Sequence, residues 1–206
     1  MSPKVPDIYK QHKKIEILQA AEQVFIRKGF GRVTMKDIVE QCQISRGGVY
    51  LYFSSTDEIF QAILDWKNGQ PQQELLLIYE SANNGEEALT QFIILISTYM
   101  KETANSLYRA HVEFFSALAQ DDNRWQFVQQ RHELLVNNYA FFFQEGTRLG
   151  YFSPQTDLRI LTKFVLTWCE GFSLNTMILP MDDLQADTQI ELLHQYLRQM
   201  LRIPSF

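Results

Sequence analysis

The chain has 206 residues, 46% of them hydrophobic and 21% charged, with a formal net charge of −5. That length supports one or two domains with a full core and no disulfide staples, and the acidic balance excludes a generic nucleic-acid coat protein. Cys42 and Cys169 are the only cysteines and lie in apolar helical patterns without CxxC or His-rich spacing, so no metal or cofactor is expected and both thiols read as free.

The N-terminal stretch MSPKVPDIYKQHKK lacks the apolar core of a signal peptide. Apolar runs such as Phe92 to Ile96 fall far short of the ~20 residues that cross a bilayer, so a soluble, cytoplasmic protein with no membrane partner is expected. The first helix is predicted from Ile17, Leu18, Ala21, Val24 and Phe25, an apolar stripe at helical spacing, with Lys13 and Lys14 at its start. Gly29 is its natural C-terminal cap, because glycine takes the left-handed conformation without a Cβ clash, and Phe30 can fold back on the helix end.

Residues 34 to 53, TMKDIVEQCQISRGGVYLYF, carry the most information. Thr34 caps a helix from Met35, with Asp37 three residues on as a shortened capping-box partner, and Met35, Ile38, Val39 and Cys42 face a core. The break falls at Gln43-Ile44, and Ser45 caps a second short helix. Its outward positions, Arg46, Gly47, Gly48, Tyr50 and Tyr52, are small, basic or hydroxylated, poor at self-burial and suited to a phosphate-lined groove. Ser55 and Glu58 then read as a capping box opening a helix through Ile59, Phe60, Ile63, Leu64 and Trp66. Residues 10 to 70 therefore form a four-helix unit built around a helix-turn-helix, whose bland alternative is a helical hairpin in an unrelated all-α domain.

Charge distribution agrees with a DNA-facing end. Residues 1 to 56 carry nine Lys/Arg against five Asp/Glu, a net of +4, whereas the other 150 carry ten against nineteen, a net of −9.

The stretch ILQAAEQVFIRKGFGRVTMKDIVEQCQISRGGVYLYFSSTDEIFQAIL, residues 17 to 64, resembles the TetR/AcrR-type bacterial transcriptional regulators. The resemblance lies in the phenylalanine-to-glycine end of the first helix, the Thr34 start, Asp37-Ile38, Ile44-Ser45, and Gly47 ahead of Val49-Tyr50 and Tyr52-Phe53. Gln43 stands where that family usually has glycine, which places a left-handed conformation on a non-glycine residue. Thr56 replaces a common phosphate-holding lysine, and Gly48 replaces a usual Thr, Ser or Ala.

Beyond residue 70 the pattern is helix after helix. Pro71 bends or interrupts the helix begun at Thr56. Segments 86–103, 106–119, 122–149, 156–179 and 187–202 follow, bringing the all-α total to about nine helices. This larger bundle, 71–206, is expected to bind an effector and to dimerise. His111, Glu113, Phe114, Trp125, Tyr139, Phe142, Trp168 and Phe172 are the candidate ligand-binding residues, because aromatic stripes interrupted by a polar pair suit a cavity as well as a core. The resemblance implies a small-molecule effector in this region and a homodimer through the last two helices, 156–179 and 187–202.

The resulting expectation is a repressor that binds double-stranded DNA at a two-fold symmetric operator and leaves it when a small hydrophobic effector binds. Thr34, Lys36, Tyr50, Tyr52 and Lys10, Lys13 or Lys14 would hold phosphates, with Ser45 also in the DNA-binding set and Arg46 and the Gly47-Gly48 edge at the bases. Two other readings differ in class. An enzyme using His111, Glu113, His132 and Glu133 lacks any nucleophile motif, metal spacing or glycine-rich phosphate cradle, so no catalytic residue is assigned. An architectural DNA binder on the same scaffold would need no small molecule.

Overall fold

The computed structural model describes residues 7–68, 71–101, 106–116 and 122–203. Among them the chain forms ten α-helices and no strand: α1 Asp7–Lys28, α2 Met35–Cys42, α3 Arg46–Tyr50, α4 Thr56–Asn68, α5 Pro71–Ser81, α6 Gly85–Lys101, α7 Tyr108–Ser116, α8 Asp122–Arg148, α9 Leu158–Thr176 and α10 Ala186–Leu201. A 3₁₀ turn, Phe30–Arg32, joins α1 to α2. The all-α expectation is met, with one helix more than the nine read from the pattern. The addition is α5, which Pro71 opens, as proline suits a helix's first position better than its interior. The end of the segment expected to reach 119 lies outside the described residues.

The helices group into two compact units. One takes in the described residues up to Lys67 together with those between 106 and 128; the other takes in 71–101 and 129–203. A cut at 70/71 thus follows chain order, whereas packing assigns α7 and the first turns of α8 to the unit that holds α1 to α4.

The reason is visible in the core of that first unit. Ile17, Leu18, Ala21, Val24 and Phe25 of α1 meet Ile38, Val49, Ile59, Phe60 and Ile63, and the wall is completed by Ala110 and Phe114 of α7. Phe60 lies 4.9 Å from Phe25 and 5.1 Å from Phe114, while Phe30 folds back to within 5.0 Å of Phe114. Such edge and tilted ring pairs add to the area that each phenylalanine removes from water. Arg124, at the start of α8, seals this cluster. Its guanidinium lies 4.8 Å from the Phe114 ring centre and 5.4 Å from that of Phe30, and it pairs with Asp57 in the first turn of α4.

In the second unit, α6 supplies Leu89, Phe92, Ile93 and Ile96 to a core shared with Phe142 and Phe143 of α8, Leu161 and Val165 of α9, and Leu193, Leu197 and Leu201 of α10. Phe92 stacks on Phe142 at 4.4 Å. At Gly146 a Cβ would sit 2.2 Å from the Phe152 ring, so only glycine lets the chain turn back across α8 there. No helix among the described residues is long and apolar enough to cross a membrane.

Candidate functional site

The expected reader is built from α2 and α3. Thr34 opens α2 with a reciprocal capping box: the Asp37 backbone N–H donates to Thr34 Oγ1, and the Thr34 N–H donates to Asp37 Oδ2 at 3.0 Å. Asp37 also accepts from Lys28 Nζ at 2.7 Å. The lysine contact, followed by the Thr34 donors, holds the Asp37 carboxyl at about 2. Gln43 then adopts the left-handed conformation (φ 54°, ψ 28°) that the turn demands. Ser45 caps α3 by accepting the Gly48 N–H at 3.2 Å. Further on, Ser55 Oγ accepts the Glu58 N–H, but the Glu58 carboxylate reaches back to the N–H and hydroxyl of Ser54 instead of to Ser55.

Packing sorts the candidate DNA-contacting residues. Val49 is fully buried, and a Cβ on Gly48 would lie 2.6 Å from Ile44 Cγ2, so this side of α3 faces its own unit. Arg46 and Tyr50 form one outward ridge, the guanidinium 5.3 Å from the ring centre, and a Cβ on Gly47 would meet nothing within 4 Å. Met35, Lys36, Val39, Arg46 and Tyr50 line a shallow depression of about 190 Å³ between α2 and α3. Lys36 is almost fully solvated and only 3.8 Å from Glu40, and Lys14 lies exposed with its ammonium 5.6 Å from the Phe53 ring centre.

Four of the expected contacts are otherwise engaged. The Thr34 hydroxyl donates to Asp37 at 2.9 Å and its N–H does the same, so both donors are spent on the cap. Gly48 is turned inward, whereas Ser45 Oγ only accepts the Gly48 N–H and keeps its own O–H to donate. Tyr52 is half-buried against the core, and Lys13 is held by Glu16 at 2.6 Å. Residue type alone does not single out Leu51, the C-cap that follows α3, which is 79% exposed. Its spacing of four from Gly47, on the side away from buried Val49, is the signal that identifies it.

The candidate ligand-binding residues divide between the two units. His111, Glu113, Phe114 and Trp125 belong to the first. Phe114 is fully buried in its core, Trp125 is half exposed, and His111 packs edge-on against Phe115 at 4.0 Å. Glu113 accepts the Gly31 N–H at 3.0 Å and pairs with Arg109 at 3.2 Å. Tyr139, Phe142, Trp168 and Phe172 belong to the second unit. Phe142 fills its core between Tyr79 and Phe92. Phe114 and Phe142 thus serve as packing in separate cores: Phe142 is stacked between Tyr79 and Phe92, and Phe114 is walled by Phe30, Phe60 and the Arg124 guanidinium.

Trp168 stacks on Phe172 at 5.2 Å beside Met100 and Ala186. Burial pushes the Tyr139 phenol and the neighbouring Cys169 thiol each up to about 12, which keeps both neutral. On the same unit, Lys101, Met181, Asp182 and residues 185–188 surround an open depression of about 680 Å³. Among the described residues no group of three His, Cys, Asp or Glu side chains is placed to hold a metal ion.

An apolar strip runs along the last two helices. Ile160, Phe164 and Leu174 are exposed on α9, as are Leu192 and Tyr196 on α10, with Phe164 and Tyr196 in ring contact at 4.7 Å. Phe164, Trp168, Gln189, Leu192, Leu193 and Tyr196 enclose a hollow of about 250 Å³ on this surface.

Comparison with known proteins matches this architecture at both ends. Residues 17–63 match the family described as "Bacterial regulatory proteins, tetR family", and residues 88–187 match "Tetracyclin repressor-like, C-terminal domain". The chain is 31% identical over 204 residues to the uncharacterized HTH-type transcriptional regulator YfiR of Bacillus subtilis, covering 98% of both chains. It is 27% identical over 176 residues to the HTH-type transcriptional repressor KstR2 of Mycolicibacterium smegmatis, covering 82% of each. Its fold is also that of the transcriptional regulator FadR from Bacillus subtilis, crystallised in complex with stearoyl-CoA, with a TM-score of 0.64 at 19% identity over 87% of this chain and 96% of that one. With the YfiR relative 31% identical over 98% of the chain, a reader of this geometry and a helical C-terminal body, this chain belongs to the TetR family of bacterial transcriptional regulators.

Proposed function

We propose that the protein is a homodimeric repressor that binds a two-fold symmetric DNA operator and releases it when a small hydrophobic effector binds. The observation that carries this reading is the outward face of α3, where Arg46, Gly47 and Tyr50 stand clear of the core beside the solvated Lys36. Lys14, Lys36 and Tyr50 hold backbone phosphates, and Arg46 reaches a guanine edge, a pairing worth ~1–3 kcal/mol of discrimination. In this division of labour residues 10–70 read DNA, and residues 71–206 supply dimerisation and effector binding, with 106–116 and 122–128 bracing the reader.

The exposed apolar strip on α9 and α10 supports pairing of two copies there, since contiguous apolar surface rimmed by polar residues marks an interaction site. Two copies then set two α3 helices in successive major grooves, about 34–36 Å apart. For the effector, the aromatic group of Tyr139, Trp168 and Phe172 in the second unit is the favoured wall. An apolar molecule seated there must favour the released state by about 5.5 kcal/mol to move occupancy from roughly 99:1 to 1:99. The FadR likeness makes fatty acyl thioesters a sensible first class to screen, and the KstR2 likeness favours repression over activation.

Selection of bound duplexes from random oligonucleotides tests the reading. A two-fold symmetric motif is expected from the wild-type chain, and an Arg46→Ala chain is expected to select a different one. Enrichment of no motif, with binding indifferent to sequence, would favour the architectural alternative.

A further inference from the structure

We propose that Leu51 is a second specificity-determining residue of the reader, recognising the C5-methyl group of a thymine in the major groove. The proposal deepens the DNA-reading function proposed above and rests on it.

Helical geometry places the residue. At 100° per residue, Gly48 and Val49 define the inward side of α3, and the opposite arc carries Arg46, Gly47, Tyr50 and Leu51. Leu51 retains helical dihedrals (φ −67°, ψ −27°), and its N–H donates to Gly47 O at 3.1 Å, so it sits one turn beyond Gly47 on the same side. Four residues therefore form two adjacent ridges, Arg46 with Tyr50 and Gly47 with Leu51.

The second ridge has an unusual composition. Its first member has no side chain, and the space a Cβ would enter is open. Its second is a leucine with 79% of its surface in water, flanked by Tyr50 at 41%. An exposed leucine adds nothing to the core, and it has no donor or acceptor for phosphate. In the major groove the apolar feature of a base edge is the thymine methyl, and apolar side chains read it by contact. The bare Gly47 position lets a duplex approach closely enough for the Leu51 side chain to reach that depth. Arg46 and Leu51 then read different chemistry from neighbouring ridges: hydrogen-bond acceptors from one, a methyl group from the other.

The test uses the full-length chain and the operator it selects. Within that motif, each thymine is replaced in turn by deoxyuridine, which removes only the C5-methyl group, and affinity is measured for wild type and Leu51→Ala. One thymine per half-site is expected to lose about fourfold in wild-type affinity on methyl removal, the value of burying a single methyl-sized group. Leu51→Ala is expected to bind the thymine and deoxyuridine duplexes equally at that position while retaining sensitivity elsewhere. Equal wild-type affinity for every deoxyuridine duplex would overturn the proposal, as would a Leu51→Ala chain that keeps the methyl preference. A uniform loss across unrelated sequences in Leu51→Ala would also overturn it, since that marks packing on the DNA backbone. If the wild-type chain selects no motif at all, the DNA-reading function itself fails, an outcome distinct from failure at Leu51.

Discussion

Glu113 and Gly31 are 82 residues apart in sequence, yet the carboxylate of the first accepts the backbone N–H of the second at 3.0 Å. The same carboxylate presses against Gly29, where a Cβ would lie 2.5 Å from Glu113 Oε1 and where φ is +74°. Alpha-7 thus grips the turn between α1 and α2 through one polar side chain. Gly29→Ala is expected to destabilise the protein by about 1–3 kcal/mol from the backbone alone, because φ 74° with ψ 164° is a positive-φ extended conformation essentially reserved for glycine, and further because the carboxylate must move. Glu113→Ala is expected to cost about 1 kcal/mol. In a Glu113→Ala background the Gly29→Ala cost is expected to shrink towards the backbone strain, a coupling that denaturant titration of the four chains measures.

Gln43 holds a left-handed conformation that glycine would take without strain. Gln43→Gly is expected to stabilise the chain by about 0.5–1 kcal/mol, the strain relieved less the extra freedom glycine has when unfolded. A thermal melt that moves downward would show that the glutamine side chain contributes more than its backbone costs.

Asp37 couples the reader to acid. Its folded-state value, about 2, lies below its ordinary 3.8, because Lys28 and the Thr34 donors favour the carboxylate. A depressed value contributes stability that is fully present above about 3.8 and is lost as pH falls through about 2. The stability gap between wild type and Asp37→Asn is therefore expected to be constant from pH 7 to 5 and to close between pH 4 and 2. Guanidinium titrations at a series of pH values read it directly.

Lys36 carries its charge in water, 3.8 Å from Glu40, and so has little structural work to lose. Lys36→Ala is expected to weaken binding to all duplexes alike and to reduce the slope of log affinity against log salt by about one for each subunit bound. Tyr50→Ala is expected to weaken binding without altering that slope. A salt slope unchanged in Lys36→Ala would remove the lysine from the phosphate contacts.

On α9, Phe164 is exposed beside Tyr196 of α10. A glutamate there places charge on the proposed pairing face without disturbing a core, so Phe164→Glu is expected to sediment as a monomer at concentrations where wild type sediments as a dimer. Operator affinity is expected to fall with it, since one reader then grips one half-site. A Phe164→Glu chain that stays dimeric would move the interface elsewhere.

Much of the local architecture was legible in the sequence, for a physical reason. Helix spans, the Thr34 cap with its Asp37 partner, the left-handed Gln43 and the exposed Arg46 and Tyr50 depend on contacts within one turn, and one turn is what residue spacing encodes. The extra helix α5 is not legible in the spacing, because a proline that interrupts one helix can also begin the next.

Only the tertiary structure decided what depends on distant neighbours. Two adjacent glycines look alike in sequence, but Ile44 closes the space beside Gly48 and nothing closes it beside Gly47. Leu51 has the composition of a core residue and stands in water. Among the aromatics, Phe114 and Phe142 are packed into two different cores, because a ring's affinity for a cavity and for a core has the same origin in apolar area removed from water. The chain's periodicity therefore determined which helices form and which faces are apolar. Which partner covers each face, and so which residues pack and which stay exposed, was settled by helices folding back from more than 50 residues away, as α7 does on α1 and α4.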